Sequence, residues 1–318
     1  MASPRVIALD LGGTKLLSGV VDDEGVVEKR VVGPTDTSSE AAVLTQVEGA
    51  VQSLLDDEIG AIGMGMPSTI DQRRGAAVDS VNIPVTDVSF RDRLRDRFGL
   101  PAAIENDANA AALAEHRCGA GRGSQHMVML TLGTGVGGGL ILDGELYRGA
   151  IGAAAELGHI TLDLHGPPCQ GRCPGHGHLE AMASGTAADG FAREAAERNP
   201  EGDLGRAASE GKTVDARLAV ELAVRGPGDA RDVLDHVGFH LGVGIATFVN
   251  IFNPELVVIG GGFARAGDLL FEPARKVVAE RALSPGRDDV KIVPALLGVE
   301  AGLIGAGLVG FEALQRGR

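Results

Sequence analysis

Val6-Ile7-Ala8-Leu9-Asp10-Leu11-Gly12-Gly13-Thr14-Lys15-Leu16-Leu17-Ser18-Gly19-Val20-Val21 is the stretch that decides the fold. An apolar run stops at a carboxylate, turns through Gly-Gly-Thr and resumes as a second apolar run. Asp22-Asp23-Glu24-Gly25 makes another turn, and Val26-Val27 begins a third strand. This reads as a β-meander, and its first turn is built from residues that let backbone N–H groups approach a ligand. Taken alone, the stretch also reads as a plain hairpin with a flexible turn. The pattern recurs, however. Val128-Met129-Leu130-Thr131-Leu132-Gly133-Thr134-Gly135 is again an apolar strand ending in a Gly/Thr turn, and it resumes as Leu140-Ile141-Leu142 before a turn at Asp143-Gly144. With a shift of 121 positions, Asp10 falls on Thr131, Gly12 on Gly133 and Asp22 on Asp143. One such hairpin opening each half predicts a duplicated α/β chain.

Two phosphate-facing turns across an interdomain cleft are the way an actin-like fold grips ATP, which is an argument by fold analogy. Between the hairpins, helical periodicity covers 39–55, a strand covers 61–66, Asn82-Ile83-Pro84 forms a loop and a charged amphipathic helix covers 90–98. A strand over 102–104 then delivers Asn106 and Asp107 to the start of a small-residue helix over 108–118. Strand ends and helix N-termini converge on crevices in open α/β proteins, so an amide beside a carboxylate here suits chemistry. Asp107 as a simple helix N-cap is the competing reading. The second half predicts helices over 184–198, 214–224, 229–251 and 268–282, a strand over 256–259 running into Gly260-Gly261-Gly262, and a closing helix over 302–314. Gly238, Gly242 and Gly244 on the long helix predict that something packs closely there.

Composition narrows the partners. A net charge of -14 leaves nothing to neutralise a nucleic-acid backbone. Trp is absent and Tyr147 is the single tyrosine, so stacking platforms for bases are missing. No apolar stretch reaches membrane-spanning length, and the few residues before Val6 are too short for a signal peptide, which together predict a cytoplasmic protein with no membrane partner. Three cysteines make no disulfide framework, and two of them, Cys169 and Cys173, sit among histidines, which points to metal.

The residues resemble the ROK-family sugar kinases, the bacterial glucokinase-like group within the actin and hexokinase superfamily. The motifs carrying the resemblance are Asp10-Leu-Gly-Gly-Thr-Lys15, Glu105-Asn-Asp-Ala-Asn109, Leu132-Gly-Thr-Gly-Val-Gly-Gly138, Glu156-Leu-Gly-His159, Cys169…Cys173…Leu179-Glu180 and Val258-Ile-Gly-Gly-Gly262. They run in order from about Val6 to Leu314. The resemblance implies a two-domain actin-like/hexokinase fold, ribonuclease H-like and duplicated, with an interdomain cleft. It implies a small domain of 1–106 plus 303–318 and a large domain of 107–302 carrying a zinc-binding loop. By the same resemblance Asp107 is the catalytic base, and Asn82, Asn106, Asp107, Glu156, His159 and Glu180 hold sugar hydroxyls. Asp10, Gly12, Gly13, Thr14, Lys15, Thr134 and Gly135 face Mg²⁺ and the phosphates of ATP, and Gly260, Gly261 and Gly262 border adenosine.

The chemistry is coherent, because hydroxyls that both donate and accept suit carboxylates, amides and an imidazole. Phosphoryl transfer needs positioning, charge stabilisation and a carboxylate to take the hydroxyl proton. The expected reaction is ATP-dependent phosphorylation of a hexose, glucose at its 6-hydroxyl foremost, by a homodimer or homotetramer. The family also contains sugar-responsive repressors. Those carry a helix-turn-helix ahead of the first hairpin, for which the five residues before Val6 leave no room. His159, Cys169, Cys173 and His178 form the expected structural Zn²⁺ set, with His176 as the alternative fourth ligand. The chain departs from the family pattern at three points: the spacing of the cysteines with His178 in a cysteine position, Ser68 after Pro67, and Val85-Thr86 after the Asn-x-Pro loop.

Overall fold

The structure is a computed structural model that describes residues 4–316. The chain begins with the meander β1 (Arg5–Leu11), β2 (Lys15–Asp22) and β3 (Val27–Pro34), followed by α1 (Glu40–Leu54) and β4 (Ile59–Met66). Three short strands come next, β5 (Thr69–Asp71), β6 (Ala76–Asp79) and β7 (Thr86–Val88). Then come α2 (Phe90–Phe98), β8 (Ala102–Asn106) and α3 (Asp107–Cys118). The second hairpin is β9 (Met127–Leu132) and β10 (Val136–Leu142), with β11 (Glu145–Leu146) after it. The rest is mainly helical: α4 (Leu179–Ala183), α5 (Gly185–Arg198), α6 (Asp203–Ser209), α7 (Ala216–Ala223) and α8 (Asp229–Phe252). It closes with β12 (Leu256–Gly260), α9 (Asp268–Arg281), α10 (Gly286–Asp289), β13 (Lys291–Pro294) and α11 (Ala301–Arg316).

The chain divides into two compact units. The first comprises residues through Gly123, Gly139–Ala155 and everything from Leu296 on; the second comprises Ser124–Gly138 and Glu156–Ala295. Residues 107–123 and 139–155 thus fall with the N-terminal portion, whereas the sequence places them in the large domain. The reason is α3: its small residues pack against α11, and the backbones come so close that a Cβ on Gly305 would stand 1.9 Å from the carbonyl oxygen of Ala110.

In the first unit the main sheet runs β3-β2-β1-β4-β8, antiparallel through the meander and parallel from β1 through β4 to β8. Both faces are covered, which is why β1 reads as a continuous apolar run instead of an alternating one. Ile7, Leu9 and Leu11 pack with Val43, Val47 and Val51 of α1 on one face, while Val6 and Ala8 pack with Leu303 and Ala306 of α11 on the other. The small antiparallel sheet β5-β6-β7 has no signal in the sequence, because three- and four-residue strands carry too little periodicity.

In the second unit β9, β12 and β13 are parallel neighbours. The long helix α8 lies against α9, and its glycines mark the contact as expected. A Cβ at Gly238 would come within 2.8 Å of the Leu270 carbonyl oxygen, and one at Gly242 within 2.7 Å of that of Ala274. Gly244 faces Leu179 of α4 instead. Among the described residues no helix is long and apolar enough to cross a membrane.

A buried carboxylate supports α3 from its far end. Glu115 is fully buried and accepts from the backbone N–H groups of Ala120 (2.8 Å), Leu296 (3.1 Å) and Leu297 (2.7 Å). These donors sit close to where the chain leaves the first unit after Gly123 and returns at Leu296. Glu115→Gln turns an amide NH₂ toward one of them. It is expected to lose about 2–4 kcal/mol of unfolding free energy, since a buried donor is then left without an acceptor. Urea denaturation of the two proteins side by side checks this; an unchanged midpoint refutes the role.

Candidate active site

Four turns bring the expected residues into position, two in each unit. In the first unit the β1–β2 turn is held tightly. Gly12 N–H donates to the Lys15 carbonyl at 2.9 Å, Thr35 N–H donates to the Thr14 carbonyl at 3.0 Å, and the Thr35 hydroxyl donates to the Gly12 carbonyl at 2.6 Å. Gly13 lies flush against the Asn82 loop, where an added Cβ would come within 2.8 Å of the Asn82 Cβ. Glycine is needed here for proximity. Thr14 and Lys15 are exposed at the tip, as a group meeting an anion must be.

At the end of β8 the structure separates two roles that the sequence left merged. Asn106 is the N-cap of α3: its side-chain oxygen accepts from Ala108 N–H (2.9 Å) and Asn109 N–H (3.1 Å). Asp107, the first helical residue, accepts from Ala108 N–H at 2.9 Å through one carboxylate oxygen. The capping reading therefore belongs to Asn106, and Asp107 keeps an oxygen for chemistry. Burial raises the Asp107 pKa, opposed by backbone N–H donation from Ala108 and from its own amide. A carboxyl kept more basic than usual accepts a hydroxyl proton more readily.

Asp10 is nearby in electrostatic terms. Its pKa rises from 3.8 to about 6, first through burial, second through the charge on Asp107, with Lys15 opposing. Its carboxylate rests on the start of α11, where a Cβ on Gly302 would stand 2.5 Å from Oδ2. Two sheltered carboxylates, one raised by the charge of the other, form a natural place for a divalent cation, which would relieve the repulsion.

In the second unit the Gly133-Thr134-Gly135 turn is closed by Gly133 N–H donating to the Gly135 carbonyl at 2.9 Å. Glu180, in the first turn of α4, is tied to it: Oε2 accepts from Val136 N–H at 2.9 Å, and a Cβ on Gly135 would stand 2.1 Å from that oxygen. Gly260-Gly261-Gly262 abuts the same turn, with Gly261 at φ 88° and room for no Cβ beside the Leu132 carbonyl. A cavity of about 550 Å³ opens here, lined by Thr134, Thr186, Asp189, Arg217, Gly262 and Arg265 among others. The sequence reading missed Asp189, Arg217 and Arg265. They lie on surface helices and a turn without any motif, and only the fold gathers them.

Glu156 and His159 flank the one-turn 3₁₀ segment Leu157–His159. The Gly158 between them is required because a Cβ there would stand 2.0 Å from the Val136 carbonyl oxygen. His159 also joins a cluster. Its Nδ1 lies 3.3 Å from His178 Nδ1 and 3.5 Å from Cys169 Sγ, and Cys173 Sγ lies 3.5 Å from His178 Nδ1. All four ligand atoms fall within 4.8 Å of one another, and His176 is not among them. A tetrahedral ion with bonds of 2.0–2.1 Å to nitrogen and 2.3 Å to sulfur has edges of about 3.3 Å between nitrogens and about 3.6 Å between nitrogen and sulfur. The cluster already has those edges, so its donor set fits zinc. Burial pushes the Cys169 thiol up to about 12, aided by the neighbouring Cys173, and burial lowers His178. Neutral imidazoles are what a metal needs, and a dication supplies the charge that holds the thiolates. Because His159 presents Nδ1 to the cluster, its Nε2 is left for another partner.

The sequence pattern of the ROK family matches residues 6–310. The chain is 36% identical over 309 residues to the glucokinase of Thermotoga maritima, covering 96% of this chain and 97% of that protein. It is 36% identical over 315 residues to the glucokinase of Streptomyces coelicolor, covering 94% and 95%. A solved ROK-family glucokinase from Streptomyces griseus, in complex with glucose and AMPPNP, superposes with a TM-score of 0.82 at 32% identity, covering 97% of this chain and 99% of that one.

The raised pKa of Asp10 has a stability consequence. The folded protein binds this proton more tightly than the unfolded chain does, so the stability present below pH 4 is lost as pH rises to about 6. Asp10→Asn removes that loss. At pH 7.5 the ligand-free variant is expected to be more stable than the parent by on the order of 1–3 kcal/mol, with no gain at pH 4. Chemical denaturation at the two pH values measures the difference, and an equal gain at both excludes the electrostatic cause.

Proposed function

This chain belongs to the ROK family, and we propose that it is an ATP-dependent hexose kinase acting on glucose at the 6-hydroxyl. The observation that carries the reading is Asp107: a basic, half-sheltered carboxylate at a strand end, with capping delegated to Asn106. In this reading the sugar hydroxyls meet Asn82, Asn106, Asp107, Glu156, His159 and Glu180. The phosphates meet the Gly12–Thr14 and Thr134-Gly135 turns, where backbone N–H groups and exposed side chains face an anion without a bulky Cβ. Asp10 and Lys15 serve the Mg²⁺-phosphate end. The nucleoside takes the cavity beside Gly260, Gly261 and Gly262, where Arg217 and Arg265 add positive charge.

The chemistry assigned to the chain is then direct. Asp107 takes the proton of the reacting hydroxyl as that oxygen attacks the terminal phosphorus of ATP, and ADP leaves. Mg²⁺, when bound, neutralises charge on the phosphates. Everything else the residues do is positioning: each sugar hydroxyl is fixed by a rigid donor or acceptor, so the reacting one lies within reach of the base.

Asp107→Asn keeps shape but removes the base. The expected fall in kcat is about 10²–10⁴, with a much smaller change in KM for glucose. The acid limb of kcat/KM, expected above the ordinary aspartate range, should vanish. A coupled ADP-release assay over a hexose panel checks both the substrate and the variant. Failure of every hexose and N-acetylhexosamine to stimulate turnover sinks the reading.

We further propose that His159, Cys169, Cys173 and His178 hold a structural Zn²⁺. Support comes from the tetrahedral spacing of the donors. The ion would set the loop between Glu156 and Glu180 without touching phosphate, leaving His159 Nε2 for the sugar. About one zinc per chain is expected by elemental analysis. Cys173→Ala should lose it together with most glucose affinity, while nucleotide binding persists. Gly175→Ala should act the same way, since a Cβ there would sit 2.1 Å from the His178 ring. Metal-free protein with full activity refutes the site.

A further inference from the structure

The residue before Asn106 is a fully buried carboxylate that the mechanism above does not use. Glu105, the penultimate residue of β8, has four partners. Oε1 accepts from Asn106 N–H at 3.0 Å and from Asn109 Nδ2 at 3.1 Å. Oε2 accepts from Arg148 Nε at 2.5 Å and from Gln72 Nε2 at 3.3 Å. Two of the four are the cap of α3 and a residue on its first turn, on either side of Asp107. The other two reach outward.

Arg148 is the only cation in contact with this carboxylate among the described residues, and it is itself four-fifths buried. Its other arm pairs with Glu312 of α11 at 2.8 Å, and Glu312 is met from outside by Arg316 at 3.2 Å. Gln72 also donates to the Ile104 carbonyl at 2.9 Å, and its backbone N–H donates to the Ile151 carbonyl at 2.8 Å. Gly152 packs so closely on this strand that a Cβ would stand 2.3 Å from the Ile70 carbonyl oxygen. The 148–152 loop is thereby fastened to Glu105 directly through Arg148 and indirectly through Gln72, and it packs on Ile70 of β5. The same loop leads, four residues later, into Glu156.

We propose that Glu105 and Arg148 are positioning residues: their buried ion pair fixes the Asn106-Asp107 turn and the lead-in to Glu156 as one rigid piece. The physical case is economy of support. A carboxylate sheltered from water is retained only when charge and hydrogen bonds compensate it. Here the compensating groups include the backbone N–H of Asn106, a side chain on the first turn of α3 and an arginine on the loop that runs toward Glu156. A Leu or Met at 105 would fill the volume but could not hold Asn106 N–H, Asn109 and the loop together.

The inference rests on the kinase reading for its kinetic readout, so the test has a second readout that does not. Arg148→Gln leaves Glu105 buried without its cation. Its kcat is expected to fall about 10- to 100-fold, as a small misplacement of a base does. KM for Mg²⁺-ATP should stay within about threefold, since that end of the site is untouched. Arg148→Lys, able to pair with one carboxylate at a time, should recover part of the loss. Glu105→Gln/Arg148→Gln should be less impaired than the sum of its single variants, because no charge is orphaned. Independently, amide hydrogen exchange in Arg148→Gln should speed up over 104–110 and 148–152 while β1 and β4 stay protected. Unchanged kcat, or exchange that rises uniformly across the first unit, overturns the proposal. A parent protein without hexose-dependent turnover defeats the kinase reading alone, and the exchange pattern still decides whether the pair fixes these two segments.

Discussion

Backbone-to-backbone contact along α11 is the constraint on which the first unit depends. A helix that must touch a sheet and another helix at main-chain distance cannot carry side chains at the points of closest approach. Its small residues follow from that. Gly63 of β4 faces Ala306 so closely that a Cβ would stand 1.8 Å from the carbonyl oxygen, Gly305 meets Ala110 of α3, and Gly307 meets Val21 of β2. Gly302 meets the carboxylate of Asp10. One face thus sets the height of α3, and with it Asp107, while its first turn sets the surroundings of Asp10. Enlarging any of these residues would move Asp10 or Asp107 as well as loosen a core, because dense interiors transmit displacement instead of absorbing it.

The same contact explains what the sequence could and could not disclose. The two hairpins, the strand that delivers Asn106 and Asp107, and the long glycine-marked helix α8 were legible because each joins a clear apolar period to a turn or glycine signal. Helix α2 matches its expected limits, and α3 begins one residue early, at Asp107. The short strands β5, β6 and β7 and the five-residue helix α4 were not legible, since their lengths are set by packing and not by periodicity. Nor was the membership of α3 in the first unit. Nothing in Ala108–Ala114 says which neighbour its small side chains admit until α11 is folded against them. The residue types of the metal set, with His178 ahead of His176, were legible in the sequence; what the fold adds is their gathering, His159, Cys169, Cys173 and His178 having ligand atoms within 4.8 Å of one another.

A second tension runs through the site. Asp10 and Asp107 are both sheltered, burial raises both, and the charge on Asp107 makes that on Asp10 harder still to hold. Stability alone would neutralise one of them. Retention of both is intelligible if a cation completes the arrangement during turnover, so that a repulsion in the free protein becomes a binding preference for a metal-bound phosphate. Local rules of stability fail where chemistry requires them to fail.

Glu105 and Glu115 show the converse. Both are buried carboxylates on or beside α3, yet neither is left in tension: one is met by an arginine, a glutamine, an asparagine and a backbone N–H, the other by three backbone N–H groups. Placed near the two ends of the helix, they hold it from both sides, and the carboxylate between them that lacks such partners is Asp107. In the role of base proposed above, Asp107 needs an oxygen that is sheltered and under-bonded, and it needs that oxygen to stay still. Shelter raises its affinity for a proton, under-bonding leaves it a lone pair, and stillness has to come from neighbours that are fully bonded. Three acidic residues within eleven positions divide those demands among themselves. Charge alone does not tell them apart, because the sequence writes all of them as acids; what distinguishes them is how many donors each one meets.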